Sequence, residues 1–177
     1  MRTNLTTFEA TLNRVLAEAD KMSAIDLQKY YQQHANNKEW LQILSKFPED
    51  LQREIIDERG EGNAEEIADL KRYTLKRNAP TNVNLRDLLK NKDNLETLGR
   101  VPQEILNIIN QKWGTNAKTV KVYEQNPNRL LEYAKMDPAT AKPSVMFDGE
   151  IGWGVGRFVA ALIRGDKTMP VWDLRAN

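Results

Sequence analysis

The chain has 177 residues, 40% of them hydrophobic, which suits one moderate domain or two small ones with a real core. It contains no cysteine and one histidine, His34, so disulfides, thiolate metal sites and cysteine nucleophiles are excluded and little imidazole chemistry is left. Its 26 Lys and Arg against 25 Asp and Glu give a formal charge of +1, so bulk electrostatics draws it toward neither DNA nor a membrane.

No apolar run approaches the roughly 20 residues of a membrane span, and no signal-peptide core follows Met1-Arg2. The expectation is a soluble, cytoplasmic protein with no membrane partner. Split after Arg77, the first part carries 12 basic and 14 acidic residues and the second 14 and 11, an asymmetry too small to name a partner.

The first 77 residues read as helices in series. Thr6-x-x-Glu9 is a capping box, followed by Phe8, Leu12, Val15, Leu16 and Ala19 at helical spacing. Ser23-x-x-Asp26 opens a second helix carrying Ile25, Leu27, Tyr30 and Tyr31 to about His34, an exposed or capping position for that histidine. Trp40, Leu41, Leu44 and Phe47 mark a third helix. Pro48 opens a fourth, with Leu51, Ile55 and Ile56, that stops near Gly60. Asn63-x-x-Glu66 caps a fifth, whose Ile67, Leu70 and Tyr73 face inward and whose end carries a basic ridge, Lys71-Arg72 and Lys76-Arg77.

Residues 78–84, Asn-Ala-Pro-Thr-Asn-Val-Asn, read as a linker, because proline and asparagine favour turns and extended backbone. A second domain is expected over 85–177. It starts with a helix over about Leu85 to Leu98 and another from Pro102 to Trp113, with Gly114 as C-cap. Thr119-Val-Lys-Val-Tyr123 alternates like a strand, and Asn126-Pro127 caps a helix through Leu130, Leu131 and Ala134. Ser144-Val-Met-Phe147 reads as a buried strand, Val155 to Arg164 as a helix ended by Gly165, and Met169 to Leu174 as a final strand. The fold class is α+β: a helical amino-terminal region followed by a small mixed α/β domain.

Five glycines fall between Asp148 and Asp166. Gly149, Gly152, Gly154 and Gly156 lie between a predicted strand and a predicted helix, where absent side chains let backbone N–H groups approach an anion at a helix start. Arg157, in the first turn, can add a bidentate contact to the same phosphate. Asp148 and Glu150, just upstream, have the chemistry to hold Mg²⁺ against phosphate oxygens. The competing interpretation is a tight loop, a surface ion pair at Arg157 and a plain Asp148-Gly149 turn. Neither the Walker nor the Rossmann pattern fits. Trp153 either plugs back into the core or stacks on a base. Trp40 and Trp113 fall on apolar helical faces and read as core, while the neighbouring pairs Asp57-Glu58 and Glu65-Glu66 read as solvated.

The run Gly154-Val-Gly-Arg157-Phe-Val-Ala160-Ala161, then Gly165 and Met169-Pro170-Val171, resembles the Gly-x-x-Arg-x-x-Ala-Ala…Gly…Ile-Pro-Val signature of the ParB/sulfiredoxin-like superfamily. Asn126-Pro127-Asn-Arg129 resembles the Asn-Pro…Arg box of the same domains, so the likeness spans about 119–175. It implies a compact domain handling nucleotides or DNA, with Gly154, Gly156 and Arg157 at the phosphates and Arg129 as a second contact. It also implies a phage or plasmid origin, and a nucleoside triphosphate with Mg²⁺ as cofactor. Hydrolysis of that triphosphate or of a phosphodiester would place Asp148, Glu150 and Arg157 in catalysis. The departures are extra positions from Glu150 to Val155, one arginine where two are usual, no cysteine for sulfiredoxin chemistry and no helix-turn-helix after the domain.

Two rival expectations stand beside this one. In the first, a degenerate domain keeps its fold and the amino-terminal helices dock a protein partner, as an inhibitor or adaptor would. In the second, the chain binds DNA without catalysis over a basic face of Lys71, Lys76, Arg129 and Arg157.

Overall fold

The computed structural model describes residues 25, 38–59, 62–120 and 127–177. The helix expected from Thr6 to Ala19, all but Ile25 of the one expected from Ser23 to His34, and His34 itself lie outside the described residues. The described residues form an α+β protein, with helices first and a five-stranded sheet largely in the carboxy-terminal half. Two compact units divide at Lys71 and Arg72.

The first unit contributes helices α1 (Lys38–Leu44), α2 (Glu49–Arg59) and α3 (Ala64–Lys71). Their apolar spacing places Trp40, Ile43, Leu44, Leu51, Ile55, Ile56, Ile67 and Leu70 in the interior, each such side chain contributing about 1.5–3 kcal/mol of burial. The capping box is realised: Asn63 Oδ1 accepts from Glu66 N–H at 2.9 Å, and a Glu66 carboxylate oxygen accepts from Gly62 N–H at 2.9 Å. An ion pair joins Lys71 to Glu39. The fifth predicted helix ends at Lys71, so Tyr73 belongs to a strand.

The second unit runs β1 (Tyr73–Leu75), β2 (Thr81–Asn84), α4 (Leu85–Lys90), α5 (Lys92–Thr97), α6 (Gln103–Trp113), α7 (Pro127–Lys135), β3 (Ser144–Phe147), β4 (Glu150–Trp153), α8 (Val155–Arg164) and β5 (Thr168–Ala176). Strand order is β1-β5-β3-β4, with β2 also paired to β5. Strands β3 and β5 are parallel, and the other pairs are antiparallel.

Three expectations change here. Residues 81–84, expected as linker, are strand β2, registered from Thr81 opposite Val171 to Asn84 opposite Thr168. Their ladder bonds to β5 supply what local propensity withheld, while Asn84 still acts as a cap, accepting from Arg86 N–H at 2.9 Å. The single helix expected over 85–98 is two, because Asn91 takes an extended conformation and caps the second through Asp93 N–H at 2.8 Å. Thr119 and Val120 are not in a strand; Thr119 is tied to Gln103 and Val101, and residues 121–126 lie outside the described set.

One face of the sheet carries Met146, Ile151, Met169 and Val171 into a core shared with Leu85, Leu98, Ile105, Leu106, Ile109, Phe158 and Leu162. The alternate positions Val145, Trp172 and Leu174 are buried on the opposite face, as the period of two requires.

Candidate functional site at the start of helix α8

The expected glycine loop is mostly strand. Asp148 and Gly149, with φ of 51° and 87°, form the two-residue turn of a β3–β4 hairpin, matching the Asp-Gly preference of a type I′ turn. Asp148 continues the sheet: its N–H donates to Leu174 O at 2.9 Å, and its Oδ1 accepts from Ala176 N–H at 2.8 Å. Of the extra positions from Glu150 to Val155, Glu150 to Trp153 are strand β4, Gly154 is the helix cap and Val155 the first residue of α8. Gly152 sits where the register shifts by one residue. A Cβ there would lie 2.5 Å from the Phe147 ring, which packs edge-on against Tyr73 and Trp153 at 5.0 Å each. Trp153 is thus half-buried in an aromatic cluster on the sheet.

Because β4 runs back along β3, helix α8 starts beside Ser144, the first residue of β3. Gly154 holds the cap position at φ 77°, and a Cβ on it would meet Ser144 Oγ at 2.6 Å. Ser144 Oγ donates to Gly154 O at 2.9 Å and fixes this approach. Gly154, the cap residue, makes no side-chain hydrogen bond to the helix, and the first turn carries no acidic residue. Its leading N–H groups, on Val155 and Gly156, have no preceding helical turn to bond, and the helix dipole places partial positive charge there.

Arg157 lies in that first turn, half-buried, and its guanidinium donates to Pro143 O and reaches Lys142 O at 3.5 Å. Gly156 faces the ring of Tyr133 at 3.5 Å from a notional Cβ, which lets α7 pack close against α8. Tyr133 OH in turn accepts from Arg129 at 2.9 and 3.2 Å. Gly154, Gly156, Arg157 and Arg129 therefore gather at one end of α8, with Tyr133 and Ser144 as the residues that sequence reasoning missed. The Arg129 to Tyr133 spacing of four on a predicted helix was the available signal for the first.

Asp148 and Glu150 are not part of this grouping. From Glu150 to Gly154 the chain climbs four strand residues, about 13 Å, so the pair sits at the far end of β4 from the helix start. Asp148 turns toward Ala176, whereas Glu150 lies near Asp93, Glu96 and Arg100. The expected joint hold on a metal against a phosphate at Gly154 is not assembled. Among the described residues no group of three or more His, Cys, Asp or Glu is placed to hold a metal ion. Burial, then the charges of Asp93 and Glu96, raises the Glu150 carboxyl above its usual range, with Arg100 opposing.

The unit boundary also changes the charge picture. Divided after Lys71, the first unit has 9 basic and 14 acidic residues, net −5, and the second has 17 and 11, net +6. Of the four residues expected to form a basic face, Lys76, Arg129 and Arg157 belong to the second unit and Lys71 to the first. No helix of the described residues is long and apolar enough to cross a membrane. No family model matches the chain, and no curated protein or solved structure matches it.

Proposed function

We propose that the unit from Arg72 to Asn177 binds a phosphate-bearing ligand, a nucleotide or a nucleic-acid backbone, at the start of α8. The observation that carries this reading is a helix start whose cap residue, Gly154, has no side chain to accept from the first turn, with no acidic residue in that turn and a cation, Arg157, within it. Most helices put an acceptor there, because open N–H groups and the dipole favour negative charge. Arg129, held by Tyr133 beside Gly156, is the second cation, and the unit's net charge of +6 supplies long-range attraction. The ParB-like resemblance of Gly154 to Ala161 points the same way.

The reading is binding in preference to hydrolysis. Asp148 is engaged by the Ala176 amide and Glu150 lies a strand's length away, so neither is placed to position an attacking water at this helix start.

The test is thermal unfolding of wild type and Arg157→Ala with each ribonucleoside triphosphate, with and without Mg²⁺, and with short single- and double-stranded oligonucleotides. A ligand-dependent rise in wild type that is lost in Arg157→Ala supports the site. Equal rises in both proteins, or none in either, refute it. If nucleic acid is the ligand, Arg157→Ala lowers the slope of log K against log salt by about 1.

A further inference from the structure

Strand β4 is the last strand of its sheet, with β3 on one side and, among the described residues, no strand on the other. Such an edge presents N–H and C=O groups that a strand from another molecule can bind. The Gly149 carbonyl and the Ile151 N–H flank Glu150 on this edge, and they are the pair a neighbouring strand engages across one residue. Both are taken by a single side chain. Asn94 Nδ2 donates to Gly149 O at 3.0 Å, and Asn94 Oδ1 accepts from Ile151 N–H at 2.8 Å.

A carboxamide carries a donor and an acceptor as a peptide unit does, so Asn94 stands in for one residue of an absent strand. It is fully buried and donates also to Leu88 O at 2.9 Å, which fixes its orientation. Beside it, Asp93 and Glu96 of α5 lie close enough to Glu150 of β4 to act on it electrostatically, with Arg100 opposing them. A second copy laying its own β4 along this edge would bring three more carboxylates to the same place. Like charges directly opposed across strands are destabilising.

We propose that α5, through Asn94 and these carboxylates, guards the β4 edge against pairing with the β4 edge of a second copy. A second copy is the partner excluded because any two molecules carry the same edge, and edge-to-edge pairing about a two-fold axis is the closed arrangement one sequence can make with itself. The carboxylates repel that partner in particular, since it arrives bearing the same charges.

Sedimentation velocity of the full chain over a concentration series tests this, comparing wild type with Asn94→Ala and with Asn94→Ala/Glu150→Gln. Removing the carboxamide leaves two edge groups to be satisfied by a partner, so Asn94→Ala is expected to strengthen self-association by at least about tenfold, and the double variant more. Slower hydrogen exchange of the Ile151 amide in the associated species locates the contact at this edge. Cooperative urea unfolding establishes that each variant is folded. If Asn94→Ala does not fold, Asn94→Gln carries the same test, because its longer arm cannot meet both groups in the present geometry. A folded variant with wild-type sedimentation overturns the proposal. So does failure of both Asn94 variants to fold, because Asn94 would then be required for folding itself.

Discussion

The two ends of helix α8 are built on the same residue type and finished in opposite ways. Both are bounded by a left-handed glycine, Gly154 at φ 77° and Gly165 at φ 79°. At the carboxyl end the terminal carbonyls are closed off. Gly165 N–H reaches Ala161 O at 3.0 Å, Asp166 N–H reaches the same oxygen at 3.0 Å, Trp113 Nε1 donates to Leu162 O at 2.8 Å, and Lys112 Nζ donates to Ile163 O. Arg164 adds a positive charge there, paired to Asp166 at 2.8 Å, in keeping with the dipole. At the amino end the cap residue, Gly154, makes no side-chain hydrogen bond to the first turn, and Arg157 runs against the dipole. The carboxyl end is thus finished by side chains of α6 and by its own last turn, whereas the amino end begins at a glycine that has no side chain to offer.

The largest test of this contrast compares the two glycines. Gly154→Ala must force a side chain into the left-handed region and against Ser144 Oγ and Cα, at 2.6 and 3.1 Å. It is expected to cost about 3 kcal/mol in urea unfolding. Gly165→Ala meets only the flexible Lys112 chain at 3.4 Å, and about 1 kcal/mol is expected. Equal costs would mean that Ser144 gives way and that the helix start is less fixed than its contacts indicate.

Next comes Trp113→Phe, which removes the indole donor and leaves Leu162 O without it. A loss of about 1 kcal/mol in the same assay is expected, a measure of how far the finished end depends on side chains from α6. Arg157→Ala is expected to lower stability by less than about 1 kcal/mol, since a half-buried guanidinium bound to a backbone carbonyl is replaced largely by water. Its effect on ligand binding should be far greater than its effect on folding. A large stability loss with no ligand response would make Arg157 a strap for residues 142 and 143 and nothing more.

The smallest effect concerns pH. The folded-state pKa of Glu150 is raised, so the native protein holds this proton more tightly than the unfolded chain does. Stability then falls as pH rises from the ordinary value of 4.5 through the raised one, and is lowest, as far as this group is concerned, above it. Glu150→Gln should flatten that part of the stability curve while leaving the response of the helix start to ligand unchanged. A change in that response would show that the two ends of β4 are coupled.

Much of the fold was legible because its signals are local. The α8 boundaries follow from an apolar run between glycines, and Asn63-x-x-Glu66 forms its cap as the spacing predicts. The β3 span of Ser144 to Phe147 coincides with the apolar run. Strands β2 and β4 were not legible. Thr81 to Asn84 has the composition of a turn, and Glu150 to Trp153 contains a glycine that reads as loop; each is a strand because a partner strand bonds it in register. The candidate site divides in the same way. Gly154, Gly156 and Arg157 share one helix start by adjacency, whereas Ser144 beneath Gly154 and Tyr133 beside Gly156 become neighbours only when the hairpin and α7 are in place.

By itself the sequence determined the α+β class, most helix limits, the absence of cysteine chemistry and the gathering of glycines and an arginine at the start of α8, all properties of composition or of residues a few positions apart. Tertiary structure decided that Asp148 and Gly149 are a hairpin turn, that the acidic residues lie a strand's length from the arginine, and that Asn94 completes the sheet edge. Those facts depend on hydrogen bonds between residues as far apart in the chain as Asn94 and Ile151. Periodicity along the sequence carries no record of such partners, because a backbone group is satisfied equally well by any donor or acceptor the fold brings to it.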